Sequence, residues 1–197
     1  MTTSAPRCVL VRHGETEWSL DGRHTGRTDL PLLPEGVEQA AALRAVLSTR
    51  TFAAVLTSPL VRARETAELA GLGPGAIIDE DLAEWDYGAY EGVTTAEIRV
   101  GRPGWELFAD GAPDGESAAE VAVRVDRVIA RIRSTPGDVA CVAHSHVLRV
   151  LAARWIGLEP AVGRSLVLDP AAVSELGWDR EHPVVLSWNW HGGRNWR

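Results

Sequence analysis

Short apolar runs alternate along this chain with stretches of helical period, the pattern of an α/β layered fold. Cys8–Arg12 reads as a buried strand. Residues 13–33 form a long polar stretch punctuated by Gly14, Gly22 and Gly26, and loops of that length in compact domains are usually functional. A helix is expected over 34–48, with Pro34 in its first turn and Leu43, Val46 and Leu47 on its apolar face. Residues 53–57 predict a second strand. Ser58 and Pro59 then read as N-cap and first residue of a helix reaching residue 70. A short strand at 76–78 precedes an irregular, aromatic-rich segment at 84–92. Thr94-x-x-Glu97 and Ser117-x-x-Glu120 have the form of capping boxes, and the second of these helices should run to 134. Val139–Ala143 predicts a strand, followed by a helix to 155. Residues 165–168, 173–178 and 184–188 read as three closing strands, and 190–197 as a loose tail.

Composition adds limits. The 197 residues suit a single domain over 1–197, with 45% hydrophobic and 24% charged residues. A net charge of -7 argues against broad nucleic-acid binding. All 20 basic residues are Arg, so neither a lysine Schiff base nor a P-loop lysine is available. No apolar run is long enough for a membrane helix, and the run after Arg7 is too short for a signal-peptide core. Cys8 and Cys141 lie in apolar runs and read as buried thiols of a cytoplasmic protein. The tryptophans near the C-terminus offer a homodimer contact.

Two strands end alike, the first in Arg12-His13-Gly14 and the later one in His144-Ser145-His146. Ligands of open α/β sheets collect beyond the carboxyl ends of the strands. Both histidines should therefore open onto one edge, where the helix after the second strand brings Arg62. A lone strand-end His or helix Arg is more often structural; three strand ends delivering them together point to an anion site. His144-x-His146 is too little for a metal site, because the two rings need not converge at a strand-to-helix turn.

Arg12-His13-Gly14-Glu15-Thr16 with Trp18 resembles the signature of the histidine phosphatase superfamily, also called phosphoglycerate mutase-like. Ser58-Pro59-Leu60-Val61-Arg62-Ala63 with Thr66-Ala67 is similar to its second block. Glu84-Trp85-Asp86-Tyr87-Gly88 with Glu91-Gly92 is similar to the block carrying its acid. Gly115-Glu116-Ser117 and Val142-Ala143-His144 resemble the last two, all in the family's order. The resemblance implies a three-layer α/β sandwich, with a mostly parallel central sheet and helices on both faces. It implies His13 as the nucleophile that becomes phosphohistidine. Arg12, Arg62 and His144 would form a cationic pocket around the phosphoryl group, and Glu84 would be the proton donor. Thr25 and Gly26 would belong to a loop that closes on the phosphate. Such chemistry needs no cofactor and no metal, and the substrate would be a small phosphorylated molecule.

The chemistry agrees with these residue types. A neutral imidazole can attack phosphorus and split one displacement into two. Guanidinium forks stabilise charge on the equatorial oxygens. A carboxyl beside a poor alkoxide leaving group contributes about 10²–10⁴-fold. Glu84 is therefore expected to have a raised pKa, from burial beside Trp85 or from the phosphate's charge. Ser19, His24, Trp85, Tyr87, Ser145 and His146 complete the expected substrate contacts, with Tyr90 and Arg102 beside them. Two departures from the family stand out: Ser145 where Gly is usual, and Ser19 where Asn is common. Arg149 is expected in a buried ion pair. Mutases of the family carry Glu-Arg where this chain has Glu84-Trp85, which favours a phosphatase. Acid phosphatases and sedoheptulose or fructose bisphosphatases are the competing likenesses. A phosphoglycerate mutase and an inactive phospho-ligand-binding domain are the remaining alternatives.

Overall fold

The computed structural model describes residues 5–191. Six strands form one sheet: β1 Cys8–Arg12, β2 Ala54–Thr57, β3 Ile77–Ile78, β4 Val139–Ala143, β5 Val173–Asp179 and β6 His182–Trp190. Their spatial order is β3-β2-β4-β1-β5-β6. The first four run parallel, while β5 and β6 close the sheet antiparallel. The helices are α1 Glu17–Asp21, α2 Pro34–Ala42, α3 Arg44–Leu47, α4 Val61–Leu69, α5 Thr95–Gly101, α6 Leu107–Asp110, α7 Ala118–Ser134 and α8 Ser145–Trp155.

Period-two alternation explains the three layers. Val9 and Val11 of β1, with Ala140 and Val142 of β4, pack on Leu43, Leu47, Ala63 and Ala67 beneath one face. Cys8, Leu10, Cys141 and Ala143 face the other way, onto Val121, Val125, Val128 and Ile132 of α7 and Val147, Leu148 and Leu151 of α8. Each fully buried Val or Leu contributes roughly 1.5–3 kcal/mol relative to exposure. The expected sandwich with helices on both faces is therefore present.

Register positions the chemistry. Leu10 lies opposite Cys141, and Arg12 opposite Ala143. The two central strands therefore finish level, and His13 and His144 leave the sheet side by side. Both expected capping boxes form, at Thr94/Glu97 and Ser117/Glu120.

Several expectations are corrected. The helix at 34–48 breaks at Leu43, whose N–H turns to Ala40 O in a tighter turn. The helix after Ser58 starts later, with Leu60 at its N-cap: the Val61 N–H goes to Asp29 Oδ1 at 2.7 Å, and Ser58 is drawn into the site instead. Residues 165–168 are no strand; a 3₁₀ turn occupies Pro160–Ser165, and Leu168 O is taken by the Arg12 side chain. The 13–33 stretch contains α1, capped by Thr16 and Ser19 and ended by Gly22 at φ 72°. Trp190, expected in the loose tail, pairs with Val173 inside β6; residues 192–197 of that expectation lie outside the described residues. Cys8 and Cys141 are buried free thiols with sulfurs 3.7 Å apart. Among the described residues no helix is long and apolar enough to cross a membrane.

Candidate active site

His13 leaves β1 buried, and Gly14 follows because space allows nothing larger: a Cβ there would stand 2.3 Å from Gly36 O. His13 Nδ1 lies 2.7 Å from Gly14 O. A carbonyl only accepts, so Nδ1 carries the proton and Nε2 keeps its lone pair. Burial, then the charges of Arg12 and Arg62, hold the His13 pKa well below the usual imidazole value. The ring is therefore neutral at neutral pH.

Arg12 donates through Nη1 to Leu168 O at 2.5 Å, while its Nε is buried without a partner. That orphan donor sits one residue from the nucleophile.

Arg62 and His144 stand behind His13, both fully buried. The His13 and His144 rings meet edge to face, 5.0 Å between centroids. Arg62 Nε donates to His144 Nδ1 at 3.1 Å, which places the His144 proton on Nε2, 2.7 Å from Ser58 Oγ. Burial and the Arg62 charge push the His144 pKa well below its ordinary value. His144 is thus a neutral ring with both nitrogens occupied, and the charge of the expected cationic pocket comes from Arg12 and Arg62. Arg62 also donates to the carbonyls of Thr28, Thr25 and Gly26. One N–H of its guanidinium remains beyond these four bonds.

Glu84 reverses a second expectation. Burial would raise its pKa; hydrogen bonding from His146 outweighs this, and the net value lies well below the ordinary carboxylate value. The geometry gives the reason. Oε1 accepts from Trp85 N and Val147 N at 2.9 Å each, and Oε2 from His146 N at 3.0 Å. Glu84 thus caps the N-terminus of α8, whose own N-cap His144 supplies no side-chain cap. Oε1 is saturated; Oε2 keeps a lone pair.

A cavity of about 270 Å³ joins three of these groups, Arg12, His13 and Glu84, and is lined also by Ser19, His24, Thr25, Tyr87, Ser145 and His146 among others; Arg62 and His144 lie behind it, outside the lining. Ser19 Oγ is already held by Thr16, accepting from its N–H and donating to its carbonyl. Ser145 Oγ reaches Leu168 O at 3.4 Å. Tyr87 Oη and His146 Nδ1 lie 2.7 Å apart. Trp85 is no substrate contact: it is fully buried, with Nε1 donating to Glu116 O. Gly26 faces a neighbouring cavity, and its N–H is taken by Glu91. Tyr90 packs on Trp105, and Arg102 pairs with Asp110. Among the described residues Arg149 has no ion pair; it lies over Phe108 and donates to the Gly163 and Arg164 carbonyls. His144 and His146 point to different partners. Among the described residues no metal-binding cluster of His, Cys, Asp or Glu occurs.

Sequence reasoning missed Arg23 and Thr95 on the cavity wall, and three supports behind it. Thr66 Oγ1 accepts from Gly14 N. Glu91 accepts from Gly26 N and Thr28 N, clamping from one side the turn whose carbonyls Arg62 holds from the other. Glu116 pairs with Arg124 and accepts from Asp86 N, bracing the Glu84 segment. Thr66, Glu91 and Glu116 stood inside motif blocks; the backbone amides of Gly14, Gly26, Thr28 and Asp86 that they accept from lie 30 or more positions away and carried no signal.

The sequence model of the histidine phosphatase superfamily (branch 1) matches residues 8–191. An acid phosphatase of Mycobacterium tuberculosis is 40% identical over 182 residues, 90% of this chain and 88% of the relative. Sedoheptulose 1,7-bisphosphatase of Saccharomyces cerevisiae is 37% identical over 191 residues, 80% of this chain and 70% of the relative. The solved structure of a Mycobacterium tuberculosis open reading frame product has a TM-score of 0.89 at 37% identity, covering 95% of this chain and 99% of that one.

Proposed function

The chain belongs to the histidine phosphatase superfamily (branch 1), and from that premise we propose that it hydrolyses small phosphate monoesters, sugar phosphates among them, through a phosphohistidine at His13. The observation that carries this reading is the Nε2 lone pair of His13, fixed by the Gly14 carbonyl in a cavity shared with Arg12 and Glu84. Nε2 attacks phosphorus, the P–O bond to the alcohol breaks, and the leaving oxygen takes a proton from Glu84. Water then attacks phosphorus, Glu84 accepts its proton, the P–N bond breaks, and neutral His13 returns with phosphate. Arg12 Nε and the remaining N–H of Arg62 hold equatorial oxygens; the Arg62 charge and the His144 ring position the nucleophile.

Glu84 is ionised before substrate arrives, so its proton must come with the ester. A phosphate monoester has a second pKa near 6, and a monoanion can hand that proton to Oε2 on binding. The sugar-phosphate part of the reading is supported by the yeast relative, a bisphosphatase of a sugar. The buried indole of Trp85 beside Glu84 supports hydrolysis over mutase chemistry. The reading calls for no cofactor. It includes a cytoplasmic location, supported by the two free thiols, and a homodimer, supported by the place of β6 at the end of the strand order among the described residues.

The test is a rapid acid-free quench with ³²P-labelled aryl phosphate. Label on the protein that is stable in alkali, lost in acid and absent from His13→Ala is the expected result. Turnover by His13→Ala comparable to the unaltered protein would end the reading.

A further inference from the structure

The ring of His24 is fixed from several sides. Its backbone N–H and its Nδ1 both meet the Val93 carbonyl, at 3.1 and 2.6 Å, and Gly92 N–H returns to His24 O at 2.8 Å. Tyr87 and Trp105 close on it edge to face at 4.8 and 5.4 Å, with His146 beyond at 6.4 Å. Because a carbonyl only accepts, Nδ1 carries the proton and Nε2 bears a lone pair. Burial lowers the His24 pKa, which keeps the ring neutral at neutral pH. Nε2 is the ring nitrogen left for the cavity that His24 lines.

Other polar groups of that wall are pure donors, or hydroxyls that donate as well as accept. Arg12 and Arg23 only donate. Ser19 is held by Thr16, Thr25 Oγ1 donates to Arg23 O, Ser145 Oγ to Leu168 O, and Tyr87 Oη pairs with His146. His24 Nε2 differs from the wall's hydroxyls in that it can only accept, so nothing but a donor satisfies it. A carboxylate or a bare methylene placed there leaves that lone pair desolvated and unmatched; a hydroxyl satisfies it.

We propose that His24 Nε2 accepts a hydrogen bond from a hydroxyl on the carbon skeleton of the leaving alcohol, so that the site selects phosphate esters of polyols and sugars over esters whose alcohol lacks a hydroxyl. This rests on the phosphatase reading above. A site built to bond a substrate hydroxyl discriminates strongly against the analogue without it, because a buried polar group is then left unpaired.

The experiment compares kcat/KM for glycerol phosphate and propyl phosphate, equal in carbon count, with an aryl phosphate measured alongside. The unaltered protein should prefer glycerol phosphate by about tenfold or more. His24→Phe, which keeps the aromatic packing and removes the acceptor, should bring the ratio close to one. His24→Gln, whose Oε1 accepts, should recover part of it. If His24→Phe does not fold, His24→Met serves as the acceptor-free variant. A ratio near one in the unaltered protein, or a ratio that survives loss of the acceptor, overturns the proposal. Absence of turnover on all three esters, by contrast, strikes the phosphatase reading itself.

Discussion

Arg62 Nε donates to His144 Nδ1 at 3.1 Å, joining residues 82 positions apart behind the nucleophile. The same guanidinium holds the carbonyls of Thr25, Gly26 and Thr28. Arg62→Lys keeps a charge but loses the planar fork that makes four bonds at once. Its kcat/KM should fall about 10²-fold or more, and its unfolding free energy by roughly 2–4 kcal/mol as buried carbonyls lose partners. Steady-state kinetics with denaturant melts measure both; activity within twofold of the unaltered protein would remove Arg62 from the site.

The pH profile follows from two opposite needs. His13 must be neutral to attack, and burial with Arg12 and Arg62 keeps it so well below pH 6.5. Glu84 must receive a proton, which its depressed pKa resists at neutral pH. The kcat/KM profile should therefore peak on the acid side, falling above pH ~6 as the ester loses its second proton. An acid limb at or above pH 6.5 would contradict the neutral-nucleophile account.

Glu84→Gln should slow alkyl phosphates far more than aryl phosphates, because an aryl oxide leaves without a proton. The difference should reach about 10²-fold. Equal losses across a leaving-group series would mean that Glu84 is only the cap of α8.

Stability should also depend on pH, by linkage. His13 and His144 have folded pKa values below their unfolded ones. Between those values the unfolded chain binds more protons, so stability falls as pH drops below about 6.5. Glu84 adds a second loss: its contribution is present above the unfolded carboxylate pKa of about 4.3 and disappears as pH falls through the lower folded value. Urea melts from pH 8 to pH 3.5 should show the first decline, and His13→Gln should shallow it. A flat profile from pH 7 to pH 5 would contradict buried neutral imidazoles.

Glu91 positions the turn that Arg62 grips from the other side. Glu91→Gln sets an amide NH₂ against backbone donors, and kcat/KM should drop about tenfold or more. The loss should fall on kcat, with inhibition by inorganic phosphate changed less, because the turn aims Arg62 and not the resting ligand. Glu91→Asp, which keeps the charge, should recover part of the rate. A pure loss of thermal stability at unchanged kcat would assign Glu91 to folding alone.

The sequence by itself determined the layers, the edge and the cast of side chains. Strand alternation in Cys8–Arg12 and Val139–Ala143, the capping boxes at Thr94 and Ser117, and the motif around His13 depend on neighbours within one or two turns. Such short-range rules can be read along a chain. The tertiary structure alone decided the charge and orientation of those side chains. The His144 tautomer is set by Arg62 and Ser58, 82 and 86 positions away. The sign of the Glu84 shift is set by His146, 62 positions away, whose amide and that of Val147 bond the carboxylate. Trp85, read as a substrate contact, is turned inward to the Glu116 carbonyl. Protonation and hydrogen-bond direction respond to whatever dipole lies within a few ångströms, and no periodicity in the chain records which remote group the fold will bring there.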